Sequence, residues 1–408
     1  MATNMVNLVV IPFHDWKKCE HEGFRTRDAH FMQEFGKHPQ INKLLVINRP
    51  LSWAEMLLLK RRRYPQHGQI ISQQREVYLS QVGEKTYTLD IVIPEVIRPL
   101  WMKRSWIPFI FGKSKITRSV NKALTQLEMD SSYAMFLSAP LFVPLVQNLS
   151  PDFWAFDAQD NLLKQTLYRN VPDLEKFYGF CLTNADFISA NSAETTQWFH
   201  EIRPDARWIP NGVDTDMFSP HRVYLRPSDM QAIDPPIIGY AGKMQEMFDM
   251  EAIKGALVAL PDINFAFIGQ QLNRKWVKDI WQYPNAHYLG DKPYHLLPQY
   301  LAAFDICIIP YSLQRQHGGD PIKFYEYLAM GKPIVSAEIG GVGVFKDYKQ
   351  VCITRTAEEF IVGLQQMVSD IKEGKRINSR PVPEEYLWKS KADQIVQAII
   401  HGRSAPQA

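Results

Sequence analysis

The chain has 408 residues, 46% of them apolar and 22% charged, a balance that excludes wholesale disorder and fibrous repeats and predicts about two globular domains. Lys and Arg number 46 against 43 Asp and Glu, a net charge of +3, which argues against a global nucleic-acid binder while leaving room for a local basic patch. Cys19, Cys181, Cys307 and Cys352 lie far apart with no CxxC pair, so neither a zinc site, a redox motif nor a disulfide framework is expected, and a reducing, cytoplasmic compartment fits. No apolar run approaches 18 residues and the start has no basic n-region or cleavage site, so neither a transmembrane helix nor a secretory signal is expected.

In chain order, NLVVIPF (7–13) is an apolar run typical of a strand buried on both faces. Residues 26–36 have helical spacing, and 43–49 form a second buried strand. Strands are predicted at 133–140 and 153–158, a helix at 171–182, a strand at 187–192 and a short one at 208–212. The polar, proline-containing stretch 219–236 breaks this pattern and reads as a linker. A more regular series follows. Strands are expected at 237–242, 263–269, 286–290, 305–311 and 332–337. Helices are expected at 250–260, 273–282, 293–304, 322–330, 356–374 and 385–400. Alternation of this kind predicts parallel sheets with crossover helices. The fold expected is α/β with two doubly wound, Rossmann-like domains: 1–218, a linker at 219–236, 237–380, and a terminal helical segment at 381–408.

In such sheets ligands bind beyond the carboxyl ends of the strands, and a cleft between two such domains is the expected site. After the strand at 237–242, Gly239 and Gly242 free the backbone, Lys243 adds a cation, and Asp249 suits a helix N-cap. Backbone N–H groups with a lysine suit a phosphate, although a tight turn with a solvated lysine has the same spacing. The segment 317–333 joins a loop of His317, Gly318 and Gly319 to a helix start at Asp320-Pro321. Lys323 and Glu326 stand three apart, hence on one face, as an anion and hydroxyl site or as a surface pair.

Four stretches in this order, WIPNGVDTDMF (208–218), GYAGKMQEMFDMEAI (239–253), 285–311 and DPIKFYEYLAMGKPIVS (320–336), resemble retaining glycosyltransferases of family 4 with the GT-B fold. The likeness is strong over 185–340 and weaker over 1–184. It is nearest to a bacterial branch acting on surface polysaccharides and glycolipids. The resemblance implies a nucleotide-diphosphate sugar donor on the C-terminal domain and a final helix crossing back onto the N-terminal domain. By position Lys243 matches the basic residue at the donor diphosphate, and Glu326 matches the second glutamate of an E-x7-E element that binds the ribose. Gly242 and Gly269 belong to the donor loops. Gly318 stands where the first glutamate is expected, with Asp320 as its possible substitute, and Lys323 replaces an absent second lysine.

AFDAQDNL (155–162) resembles the branch's yD-x-x-D element, which puts Asp157 and Asp160 in catalytic positions; as turn or capping residues they have equal standing. Arg25, Arg27 and His14, after the first strand, are candidates for a phosphate or an anionic acceptor; His30 shares their ambiguity. No spacing suggests a metal, and no cofactor is expected beyond the donor.

The activity implied is sugar transfer with retention to a hydroxyl of a glycan or lipid-linked acceptor. A nucleotide-sugar epimerase, which consumes donor without acceptor, and a non-catalytic binding subunit, which releases no nucleotide, remain alternatives. Finally, 96–127 carries seven cations and no acid, interleaved with Trp101, Trp106, Ile107, Phe109, Ile110 and Phe111, and Lys60-Arg61-Arg62-Arg63 adds a second cluster. Such a stretch suits an anionic membrane surface, with peripheral binding at the inner face of the plasma membrane; a packed connection with a solvated face has the same pattern. Nucleic acid is not an expected partner.

Overall fold

The computed structural model describes residues 5–315, 319–375 and 379–404. The chain divides into two compact units: residues up to Ile209 together with those from Trp388 onward, and Pro210–Leu387.

The first unit is built on β1 (Val6–Ile11), β2 (Ile41–Ile47), β3 (Leu51–Ser52), β4 (Gln69–Gln74), β5 (Val77–Gln81), β6 (Thr86–Ile93), β7 (Ala134–Leu137), β8 (Phe153–Ala158), β9 (Phe187–Ala190) and β10 (Arg207–Trp208). The sheet runs β10-β9-β8-β7-β1-β2-β6-β5-β4, with β3 against β6. The strands pair in parallel except β4 with β5 and β5 with β6. Alternate residues bury opposite faces. Val9, Ile11, Leu45 and Ile47 join a core with Phe111, Ile116 and Val120 from the helices after β6. On the other face Phe31, Phe35 and Phe136 pack with Trp388 of the last helix, Trp388–Ser404.

The second unit carries β11 (Ile237–Ala241), β12 (Asn264–Ile268), β13 (Ala286–Tyr288), β14 (Ile306–Ile309), β15 (Ile334–Ala337) and β16 (Val351–Thr354). All pair in parallel, in the order β13-β12-β11-β14-β15-β16. Ile237 and Ala241 face one core with Phe324 and Leu328, while Ile238 and Tyr240 face another with Ile253 and Leu364. The sheet is therefore covered on both sides, as buried parallel sheets require. The order reverses direction beside β11, between β12 and β14, and in the first unit beside β1, between β2 and β7. These are the switch points where crossovers diverge and leave a crevice at the carboxyl ends.

Three expectations change. Residues 219–236 are not a free linker, because Met230 and Ile233 bury in the core of the second unit and the Arg226 guanidinium donates to the Met230 carbonyl. The second unit begins at Pro210 rather than 237 and runs to Leu387, and the terminal helix starts at Trp388, not 381. In the stretch 96–127 all seven cations are exposed, but Trp106, Ile107, Ile110 and Phe111 are core residues, and of the six apolar residues expected at a surface Trp101 alone is well exposed.

Candidate functional site

In the second unit, β11 ends at Ala241 and the chain turns through Gly242. Gly242 N–H donates to the Ile268 carbonyl at 2.8 Å, which lays this turn beside the end of β12. A Cβ on Gly269, whose φ is +125°, would lie 2.0 Å from the Gly242 carbonyl oxygen, so only glycine permits the approach. Met244 N–H donates to Gln270, and Ser312 N–H, just past β14, donates to Met247, so 242–249 is pinned on both flanks. Asp249 caps helix Met250–Ala259, as its position predicts, accepting from the N–H groups of Glu251 and Ala252 at 3.1 Å each.

Lys323 lies in the first turn of helix Ile322–Ala329, the crossover from β14 to β15. Its ammonium donates to the Tyr311 hydroxyl at 2.6 Å and the Tyr240 hydroxyl at 3.3 Å, and stands 4.9 and 5.0 Å from the two ring centroids. Its Cε lies 2.5 Å from where a Gly242 Cβ would be, so the side chain crosses the glycine turn next to half-buried Lys243. Tyr240 in turn donates to the Lys243 carbonyl at 2.8 Å. A cation held by two phenols, a second lysine and a helix N-terminus thus converge on the half-buried glycine turn at the switch point, a combination that favours an anion.

Asp320 is buried and heavily engaged. It accepts from Asn211 N–H at 2.6 Å, Tyr325 OH at 2.8 Å and Gly341 N–H at 3.0 Å, while the Asn211 side-chain amide donates to its carbonyl at 2.5 Å. It knots 211, 320–325 and 341 together, which explains its place in the motif without a sugar contact. A Cβ on Gly340 would meet the Gly319 carbonyl at 3.1 Å, so that loop too is drawn in. His317 and Gly318 lie outside the described residues. Glu326 is buried one turn beyond Lys323 and accepts from the Tyr294 hydroxyl at 2.6 Å, a partner the sequence does not single out.

In the first unit, Arg27 and Asp157 form a buried two-pronged pair, Nε to Oδ2 and Nη2 to Oδ1, both at 2.7 Å, and Ser189 OH donates to the same Oδ1 at 2.7 Å. Asp157, expected in a catalytic position or as a turn or capping residue, is thus a buried carboxylate paired with Arg27 and Ser189. Arg27 is spent on it rather than projecting toward solvent, and half-buried Arg25 lies 3.4 Å from Glu22.

His14 is held by Asp28, which accepts its backbone N–H at 2.6 Å and faces its Nδ1 at 3.2 Å. Burial works to raise the Asp28 carboxyl, but His14 overrides it and holds the group below the ordinary carboxylate range. Asp160 behaves oppositely: burial pushes it up to about 6, with His14 and Gln165 offsetting only part, although some of its surface reaches solvent. His30 is a core residue stacked on Trp388 at 4.6 Å, its imidazole pushed down to about 3 by burial.

Three further side chains stand beside these. Ser138, Gln159 and Asn191 each come directly after β7, β8 and β9, and each is buried with a polar atom (Oγ, Nε2 and Oδ1) that has no protein partner among the described residues. Ser138, Gln159 and Asp160 share a narrow cavity with Phe13 and Pro140. Buried polar atoms without partners are uncommon in native folds and mark places where a ligand or water completes the bonding. The sequence did carry a signal: one polar residue immediately after each of three apolar strands. Among the described residues no group of three His, Cys, Asp or Glu side chains is arranged to hold a metal ion.

Residues 235–370 match the glycosyl transferases group 1 family. That stretch contains β11 to β16 and the lysine–glycine turn. A Bacillus subtilis (strain 168) protein named as a teichuronic acid biosynthesis glycosyltransferase, TuaH, is 25% identical over 197 residues, 46% of this chain and 49% of that protein; the match thus spans about half the relative's length. Among solved structures, sucrose-phosphate synthase from Thermosynechococcus elongatus aligns with a TM-score of 0.62 at 12% identity, covering 97% of this chain and 98% of that one. Anabaena Alr3699/HepE in complex with UDP-glucose aligns with a TM-score of 0.63 at 12% identity, covering 97% of this chain and all (100%) of that one. At such identity the likeness shows the fold: the two doubly wound units have the GT-B architecture.

Proposed function

We propose that this chain is a glycosyltransferase that moves a sugar from a nucleoside-diphosphate donor to a hydroxyl of a glycan or lipid-linked acceptor, with retention at the anomeric carbon. The observation that carries the reading is the Lys323 ammonium, held by Tyr240 and Tyr311 over the Gly242 turn, within the stretch that matches the glycosyl transferases group 1 family. Lys323 and Lys243 would face the diphosphate and stabilise the charge that develops as the sugar–phosphate bond breaks, the largest electrostatic demand of such a reaction. Glu326, oriented by Tyr294, would take the ribose hydroxyls. Asp320 acts as a positioning residue for the loop.

On the acceptor side we assign Asp160 and His14 rather than Asp157, because the Asp157 carboxylate is already neutralised by Arg27. The acceptor hydroxyl attacks the anomeric carbon, the bond to the diphosphate breaks, and the hydroxyl proton passes to the departing phosphate on the same face. No metal is required for this step. The structure of HepE holds UDP-glucose, which makes UDP-sugars the first donors to try.

The test is donor turnover with and without acceptor. UDP, GDP, ADP and dTDP sugars are incubated with the protein and with lipid-linked or soluble glycans. Nucleotide released in step with a lengthened acceptor supports transfer. Donor isomerised without acceptor favours the epimerase, and nucleotide binding without any turnover favours a binding subunit; either result contradicts the proposal.

A further inference from the structure

We infer that the first unit carries a docking face for an anionic lipid membrane, formed by helix Trp53–Leu59 together with helix Ile97–Met102, the first part of the basic stretch 96–127. The two helices pack against each other. Each is fastened by one small buried residue, Ala54 in the first and Pro99 in the second, and the first is fixed further by a capping box between Ser52 and Glu55. Their large apolar side chains point the other way. Leu57, Leu58, Leu59, Ile97, Leu100 and Trp101 are 54–82% exposed. Six large apolar residues on two touching helices are more than the scattered singles of an ordinary surface, and such patches mark interaction sites.

Charge selects the occupant. Lys60, Arg61 and Arg62 follow the first helix directly, and Lys103 follows the second. All four are exposed and none makes an ion pair among the described residues. The acids within these segments are neutralised: Glu55 pairs with Arg49 at 2.6 Å and Glu95 with Arg98 at 3.5 Å. A second copy docked on this face would bring like-charged rims together. An anionic bilayer takes both parts, leucine and tryptophan into the acyl boundary and lysine and arginine at the headgroups. Among the described residues no helix is long and apolar enough to cross a membrane, so the contact would lie on the surface of the bilayer.

The full chain is sedimented with phosphatidylcholine vesicles with and without phosphatidylglycerol. Binding is expected to phosphatidylglycerol vesicles at low salt, and it should weaken as salt screens the cations. Leu57→Ser, Leu58→Ser and Trp101→Ser together should weaken binding at least about tenfold with an unchanged melting temperature, since these side chains are exposed in the wild type. Lys60→Glu, Arg61→Glu and Arg62→Glu together should remove the preference for the anionic lipid. The inference is overturned if the wild type ignores anionic vesicles or if either triple variant binds as the wild type does. It is also overturned if sedimentation velocity shows that the apolar triple variant converts a dimer to a monomer. No donor or acceptor enters this assay, so it fails or succeeds separately from the proposed transfer reaction.

Discussion

Arg27 and Asp157 are buried together, so removing either one leaves an uncompensated charge inside the fold. Arg27→Met or Asp157→Ala alone should therefore cost about 3–5 kcal/mol of stability, and the double variant should recover a large part of it. Chemical denaturation of the three variants measures this; additive losses would contradict the pairing. Asp160 makes a different prediction, with a definite sign. Its carboxyl titrates near 3.8 when unfolded and is pushed up to about 6 in the fold. Between those values the folded state holds more protons, so the group favours folding below about pH 4 and loses that contribution as pH rises through about 6. Asp160→Asn should melt above the wild type at pH 7 and level with it near pH 4. If Asp160 works as its ionised form, acceptor-dependent turnover rises across the same window in the wild type and shows no such step in the variant.

At the level of the element, the strands read most clearly where both faces are buried. β1, β2, β11, β12 and β14 are short apolar runs with glycine or proline nearby, and the sequence places each within a residue or two. β4 was illegible because Gln69–Gln74 lies at the sheet edge with most side chains exposed, so no apolar pattern marks it. Met230 and Ile233 were hidden in a polar, proline-rich setting, and the pairing of Arg27 with Asp157, 130 positions apart, has no local signature. Motif residues fared better: Lys323, Glu326 and Asp320 sit at one helix start, although the partners Tyr240 (in β11), Tyr311 (after β14) and Tyr294 (before the next helix) come from other elements and had to be seen in space. Ser138, Gln159 and Asn191 carry only a weak local signal, a polar residue after each apolar strand, and their surroundings had to be seen in space. Because Gln159 Nε2 and Asn191 Oδ1 have no protein partner among the described residues, Gln159→Met and Asn191→Leu should leave stability unchanged or raise it slightly. If these atoms serve the acceptor, the same variants raise its KM while donor binding stays constant. A clear loss of stability would mean that the two side chains are structural.

For the whole molecule, the two units repeat one plan and diverge in what stands at their switch points. The first places a histidine, a raised carboxyl and polar atoms with no protein partner among the described residues beyond its strands; the second places lysines, glycines and phenols. Sugar hydroxyls and a diphosphate ask for that division of chemistry. Calorimetric titration of UDP into the wild type, Lys323→Met and Lys243→Met tests the donor site. A hydrogen bond to a charged group contributes about 1.5–3 kcal/mol, so each substitution should weaken UDP binding roughly tenfold or more. The melting temperatures should stay within a few degrees of the wild type, because Lys243 and Lys323 are only partly buried. Equal UDP affinity in all three proteins, or no binding of UDP, GDP, ADP or dTDP by the folded wild type, would rule out a diphosphate site at Lys243 and Lys323.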